Sequence, residues 1–118
     1  MQYQSDYVLR LVEQMGGLIR RALVLLREGD GQTPYELSEE AIGLALDINP
    51  ELVTKLSSQS LASLIEMNNL DDRVVELVAE ALQVQADALD NAGEIIGARM
   101  RREQASTVLS LLDPNRAN

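Results

Sequence analysis

The apolar positions of this chain recur at helical spacing almost from end to end, and no stretch sustains the period-two alternation of a half-buried strand. Leu11, Met15, Leu18, Ala22 and Leu25, flanked by Val8, Val12, Ile19 and Leu26, predict a first helix over about residues 6–28. That stripe is wide enough to pack against two neighbours rather than one. Gly16-Gly17 interrupts it midway at roughly 1 kcal/mol per glycine relative to alanine, and permits either a bend or a close helix approach. Arg27, followed by Gly29, Asp30 and Gly31, marks the stop.

The restart is written in Thr33-Pro34-Tyr35-Glu36. The Thr33 hydroxyl suits the N-cap, Glu36 stands where it can reach back, and Pro34 occupies the first helical position, whose N–H has no helical partner anyway. Leu37, Ala41, Leu44 and Ile48 form the expected inward face of this second helix, which ends before Asn49-Pro50. Two short helices are expected between residues 49 and 69, one carrying Leu52, Val53 and Leu56, the other Leu61, Leu64 and Ile65. Ser57-Ser58-Gln59-Ser60 between them offers hydroxyl caps, and Asn68-Asn69 closes the pair. Lys55, four residues after Glu51, reads as a helical ion pair. A long helix follows over about residues 71–91, with acids in its first turn and Val74, Leu77, Val78, Ala81, Leu82, Ala88 and Leu89 inward. Gly93 breaks it, and a last helix runs to about residue 112 before a polar tail at 113–118. The expectation is a single all-α domain over residues 1–118, with about six helices whose short joints make neighbours antiparallel.

The core of such a domain must be aliphatic, because the chain has no Phe, no Trp and only three Tyr. Its 118 residues suffice to bury roughly two thirds of the unfolded surface. The longest apolar run, residues 22–26, falls far short of the roughly 20 residues that cross a bilayer. No cationic leader is read at the N-terminus, Gln2 stands where myristoylation needs glycine, and there is no Cys, so a cytoplasmic location is expected.

The net charge of −9 is unevenly spread: it is zero over residues 1–32, −11 over 33–96 and +2 over 97–118. An acidic middle of this size repels phosphate backbones, so no nucleic-acid partner is expected.

Leu82, Ala86, Leu89, the turn residue Gly93, Ala98 and Ala105 fall near the spacing of a tetratricopeptide (TPR) helical hairpin. Leu82 and Arg102 replace its usual aromatics, and Pro114 comes about one helical turn late. Together with Asp6-Tyr7-Val8-Leu9-Arg10-Leu11-Val12-Glu13-Gln14 and Asp47-Ile48-Asn49-Pro50-Glu51-Leu52, this hairpin resembles a family of small, functionally uncharacterised bacterial proteins with a TPR-like fold. The resemblance implies antiparallel hairpins in a short right-handed superhelix, with no catalytic or ligand residue to carry over.

Chemistry-bearing residues are scarce. Without Cys or His the usual zinc ligands are missing, as are the Glu-x-x-His pairs of helical di-iron sites, and no cofactor or metal is expected. Asp87, Asp90 and Glu94 could line one helical face for a hard cation, but Gly93 intervenes and a solvated face is the simpler reading. The spacing from Glu28 to Glu39 mimics a calcium loop, yet Thr33 stands where that loop's sharp turn needs glycine. Adjacent carboxylates such as Glu39-Glu40 point in different helical directions, and Gly29-Asp30-Gly31 lacks the lysine and flanking strand of a phosphate loop.

The most distinctive polar feature is Arg99, Met100, Arg101, Arg102. Its arginines are the candidate partner-binding residues, able to grip carboxylates of an acidic peptide, with pairing to Asp87 or Asp90 across the hairpin as the structural reading. Arg102 falls on the stripe of Ala98, Ala105, Leu109 and Leu112, so its stem should cover apolar surface while its head reaches an acid. The leading expectation is therefore a non-enzymatic protein–protein interaction or scaffold module whose partner is a protein or peptide. A peripheral membrane module with Arg10, Arg20, Arg21 and Arg27 toward headgroups is the alternative, and an enzyme of unknown reaction the second alternative. An exposed flank of the first-helix stripe would invite a homodimer.

Overall fold

The structure is a computed structural model that describes residues 2–29 and 32–112. Five α-helices, α1 (Gln2–Arg27), α2 (Gln32–Leu46), α3 (Ser58–Met67), α4 (Asp72–Asn91) and α5 (Ile95–Ser110), are joined by short turns, with a 3₁₀-helix (Pro50–Lys55) between α2 and α3. No strand occurs among the described residues. The polar tail at 113–118 lies outside them.

The helix boundaries follow local chemistry. Asn49 caps the 3₁₀-helix, its side chain accepting from the Glu51 N–H at 3.0 Å, and Ser57 caps α3 through the Ser60 N–H at 3.0 Å. Asp71 caps α4 by accepting from the Arg73 N–H at 2.9 Å. Gly93 closes α4 in the left-handed region at φ +81°, which lets the Glu94 N–H turn back to the Leu89 carbonyl at 2.8 Å. Asn69 takes the same region at φ +50°, where asparagine is among the least penalised side chains.

Two expectations about starts and pairs are corrected. Helix α2 already includes Gln32, whose amide donates to Glu36 at 2.9 Å, so Glu36 is engaged one residue earlier than a cap at Thr33 requires. Glu51 and Lys55 form no ion pair, because a 3₁₀-helix brings residues three apart, not four, into line.

Helix α4 is the centre of the molecule. It packs against α5, α2 and α1, and ten of its residues are buried: Val74, Val75, Val78, Ala79, Ala81, Leu82, Val84, Gln85, Ala86 and Ala88. At 100° per residue these cover more than half the circumference, a wider arc than its apolar periodicity predicts, leaving Arg73, Glu76, Glu80, Gln83, Asp87 and Asp90 outside. Helix α1 presents Leu11, Met15, Ile19 and Ala22 to this core and touches both α2 and α4, as its broad stripe requires.

The inward face of α2 differs from the expected one. Pro34, Ser38, Ala41, Ile42, Ala45 and Leu46 are buried, while Leu44 is 38% exposed. Small side chains on that face let α2 sit close between α1 and α4. Ser38 can be buried at low cost because its hydroxyl donates to the Pro34 carbonyl at 2.8 Å. Gly43 serves the same closeness on another side, since a Cβ there would lie 3.2 Å from the Pro50 ring. Helix α3 packs on α5, burying Leu61, Ala62 and Ile65.

Leu82 is fully buried at the centre of α4, so Leu82→Ala should destabilise by about 2–5 kcal/mol. Leu44→Ala should stay within about 0.5 kcal/mol of the parent. Urea unfolding followed by circular dichroism measures both.

Candidate functional site

The three candidate arginines of α5 are separated by the fold. Arg99 is exposed, Arg101 is buried at 5% exposure, and Arg102 lies outside across the hairpin from α4. The inward stripe of α5 is thus Ala98, Arg101, Gln104, Ala105 and Val108, one position away from the stripe that placed Arg102 inward. Two adjacent arginines cannot both face the core, and Arg101 is the one with buried polar company.

Arg102 sits where carboxylates await it. Its Nη2 donates to Asp87 Oδ1 at 3.0 Å and to Asp90 Oδ2 at 2.6 Å. Two of the three carboxylates considered for a cation, Asp87 and Asp90, therefore share a guanidinium instead. These contacts are about half exposed and contribute little stability in water. Arg99 and Arg102 line a shallow depression of about 410 Å³ with Asp90, Ile95, Glu103 and Ser106, whose two acids offset its two cations.

Arg101 instead belongs to a buried polar bridge. Its Nη1 donates to Gln104 Oε1, and Gln104 Nε2 donates to the carbonyls of Val53 at 3.1 Å and Leu56 at 3.0 Å. One glutamine thus fastens the 3₁₀-helix to α5 and orients the buried guanidinium. Arg101 Nε and Gln85 Oε1 are buried without a protein partner.

On the other side, α1 and α2 enclose an open groove of about 630 Å³. Tyr7, Arg10, Leu11 and Gln14 form one wall; Glu36, Glu39, Glu40, Gly43, Leu44 and Asp47 form the other, and Ile48 and Pro50 lie at one end. The α2 wall follows from spacing: Glu36, Glu40, Gly43 and Leu44 stand at i, i+4, i+7 and i+8 on one face of the helix, and Asp47 follows just past its end at φ +54°. Four carboxylates face one arginine there, and Tyr7 is 61% exposed beside the half-open Leu44. Burial pushes the Glu39 carboxyl above the ordinary glutamate range, Glu51 and Glu36 add to the rise, and Arg101 opposes it. Glu39 thus stands between the groove and the field of the buried arginine. Among the described residues no helix is long and apolar enough to cross a membrane.

Comparison with protein-family models, with curated proteins and with solved structures gave no match to this chain. The site is therefore read from its own geometry.

The groove acids were legible individually, but adjacency of Glu39 and Glu40 obscured the i, i+4 pair Glu36 and Glu40 that supplies the wall. Gln104 carried a faint signal, a polar residue at helical spacing from Ala98, Arg101 and Val108. Nothing local in the sequence announces that its partners are the carbonyls of Val53 and Leu56.

Gln104→Leu removes the donor from two carbonyls and the acceptor from a buried guanidinium, so a loss of about 1–3 kcal/mol is expected in chemical denaturation. For Glu39, folding favours the protonated form, so stability falls as pH rises from the ordinary glutamate range through the raised folded value. Glu39→Gln should therefore be more stable than the parent at pH 7, with the two converging in acid below that window, as read from denaturation midpoints across pH.

Proposed function

We propose that this protein is a non-enzymatic protein-interaction module, a short TPR-like platform of two helical hairpins whose α1/α2 groove takes a cationic segment of a partner protein. The observation that carries this reading is the groove wall. Glu36, Glu39, Glu40 and Asp47 line an open channel against the single cation Arg10, with the exposed Tyr7 ring and Leu44 as apolar contacts.

A helical or extended segment bearing Lys or Arg on one side and an aliphatic residue on the other matches both features. The groove is broad and open, which suits a chain segment better than a small molecule held by enclosure. The non-enzymatic part is supported by the residue inventory, which has no Cys, no His and one Lys. On the α5 side, the Arg102 head is already held by two aspartates and Arg101 is inside the protein, so capture of an acidic peptide there has Arg99 alone to offer freely.

Isothermal titration with a synthetic amphipathic peptide, lysines on one face and leucines on the other, tests this. Saturable one-to-one binding that weakens with added salt is expected, and Glu36→Gln combined with Glu40→Gln and Asp47→Asn should weaken it about tenfold, at a few tenths of a kcal/mol per exposed charge. Tyr7→Ala should weaken it as well. Absence of saturation at low salt, or a triple variant that binds like the parent, would overturn the reading.

A further inference from the structure

The outward side of α1 carries a second pattern that its own fold does not use. Opposite the buried Leu11, Met15, Ile19 and Ala22, residues Asp6, Leu9, Glu13, Gly16, Arg20, Val24 and Arg27 recur at steps of three and four along one stripe, with Gly17 beside Gly16 at its middle. Leu9 and Val24 are each 46% exposed, and Asp6, Glu13, Arg20 and Arg27 are exposed and form no ion pair with any described residue.

The stripe is self-complementary about its middle. Laid antiparallel on a copy of itself with the two-fold axis between Gly16 and Gly17, it sets Asp6 opposite Arg27, Leu9 opposite Val24, Glu13 opposite Arg20, and the glycines opposite each other. Every charged position then meets its opposite, and every apolar one meets an apolar one. A parallel arrangement would instead set like charges face to face.

The glycines supply an independent pointer to a second backbone. Both weaken a long helix, and nothing inside the molecule requires them: a Cβ at Gly16 would meet only the guanidinium of Arg20, at 3.1 Å, and one at Gly17 only that same side chain, at 4.0 Å. Among the described residues no other helix brings an atom within 4 Å of either Cβ position. Helices that cross at small residues approach more closely than those that cross at large ones. The crossing point of the antiparallel pair is where such residues are needed.

We infer that the occupant of this face is a second copy of the chain, in a two-fold dimer whose α1 helices pack antiparallel across Gly16 and Gly17. The Arg20 head swings from above Gly16 to the partner's Glu13 when the copies meet. A single helix pair lies at the small end of specific interfaces, so the dimer dissociates in the micromolar range. The groove of Tyr7, Leu11 and Leu44 opens on another side of α1 and stays free, so this assembly does not depend on what the groove takes.

Sedimentation equilibrium of the full chain over a range of concentrations gives the test. The mass should rise from 13.0 kDa toward twice that value. Arg20→Glu or Glu13→Arg alone, each striking two symmetric contacts, should weaken association at least about tenfold, and the combined exchange should restore it. Gly16→Leu with Gly17→Leu should leave the helical circular dichroism intact, or strengthen it, while abolishing the dimer. A parent that stays monomeric throughout would overturn the inference. So would a dimer indifferent to the single reversals or to the leucines, or an exchange variant that fails to recover.

Discussion

Burial of α4 on more than half its circumference is the constraint from which the rest of the architecture follows. A helix with Val74, Val78 and Leu82 on one arc and Val75, Ala79 and Ala86 on the adjoining arc cannot satisfy both with one neighbour. The α1/α2 hairpin covers one side and α5 the other, and α3 is left to pack on α5. Because the aliphatic core contains no Phe or Trp, closeness comes from small residues: Ala41, Ala45, Ala81, Ala98 and Ala105 lie at the helix contacts with almost no exposure. Dense packing of short side chains holds the core together with many small dispersion contacts rather than a few large rings.

That economy of side chains leaves polar groups in telling places. The outer surface of α4 is acidic, the α1/α2 groove is acidic, and the cations gather on α1 and α5. Among the described residues buried charge is limited to Arg101, which is held by Gln104 and opposes the rise at Glu39. A buried guanidinium costs desolvation and is retained only where neighbouring groups offset it, a part that Gln104 takes here.

Periodicity and punctuation made most of the fold legible. The stops at Gly93 and Asn69, the hydroxyl cap at Ser57, and most of the inward residues of α1 and α3 rest on local rules that operate within a turn of helix. What sequence reasoning missed depends on contacts far along the chain. Leu44 reads as core until α1 and α4 close around the smaller face of α2; the pairing of Arg102 with the aspartates of α4 was legible, but the place inside that Gln104 gives Arg101 was not. The groove was harder still, because a channel is a relation between two helices, and hydrophobicity along one of them says nothing of its depth.

The bond from Gln104 to the carbonyls of Val53 and Leu56 spans 51 and 48 residues of chain. During synthesis the 3₁₀-helix emerges long before the residue that fastens it, so until the final hairpin is made this segment lacks its polar tie to α5. In the finished molecule the segment is pinned twice, by burial of Val53 in the aliphatic interior and by the glutamine that ties its carbonyls to the last helix, so losing that one side chain loosens the connector without expelling it.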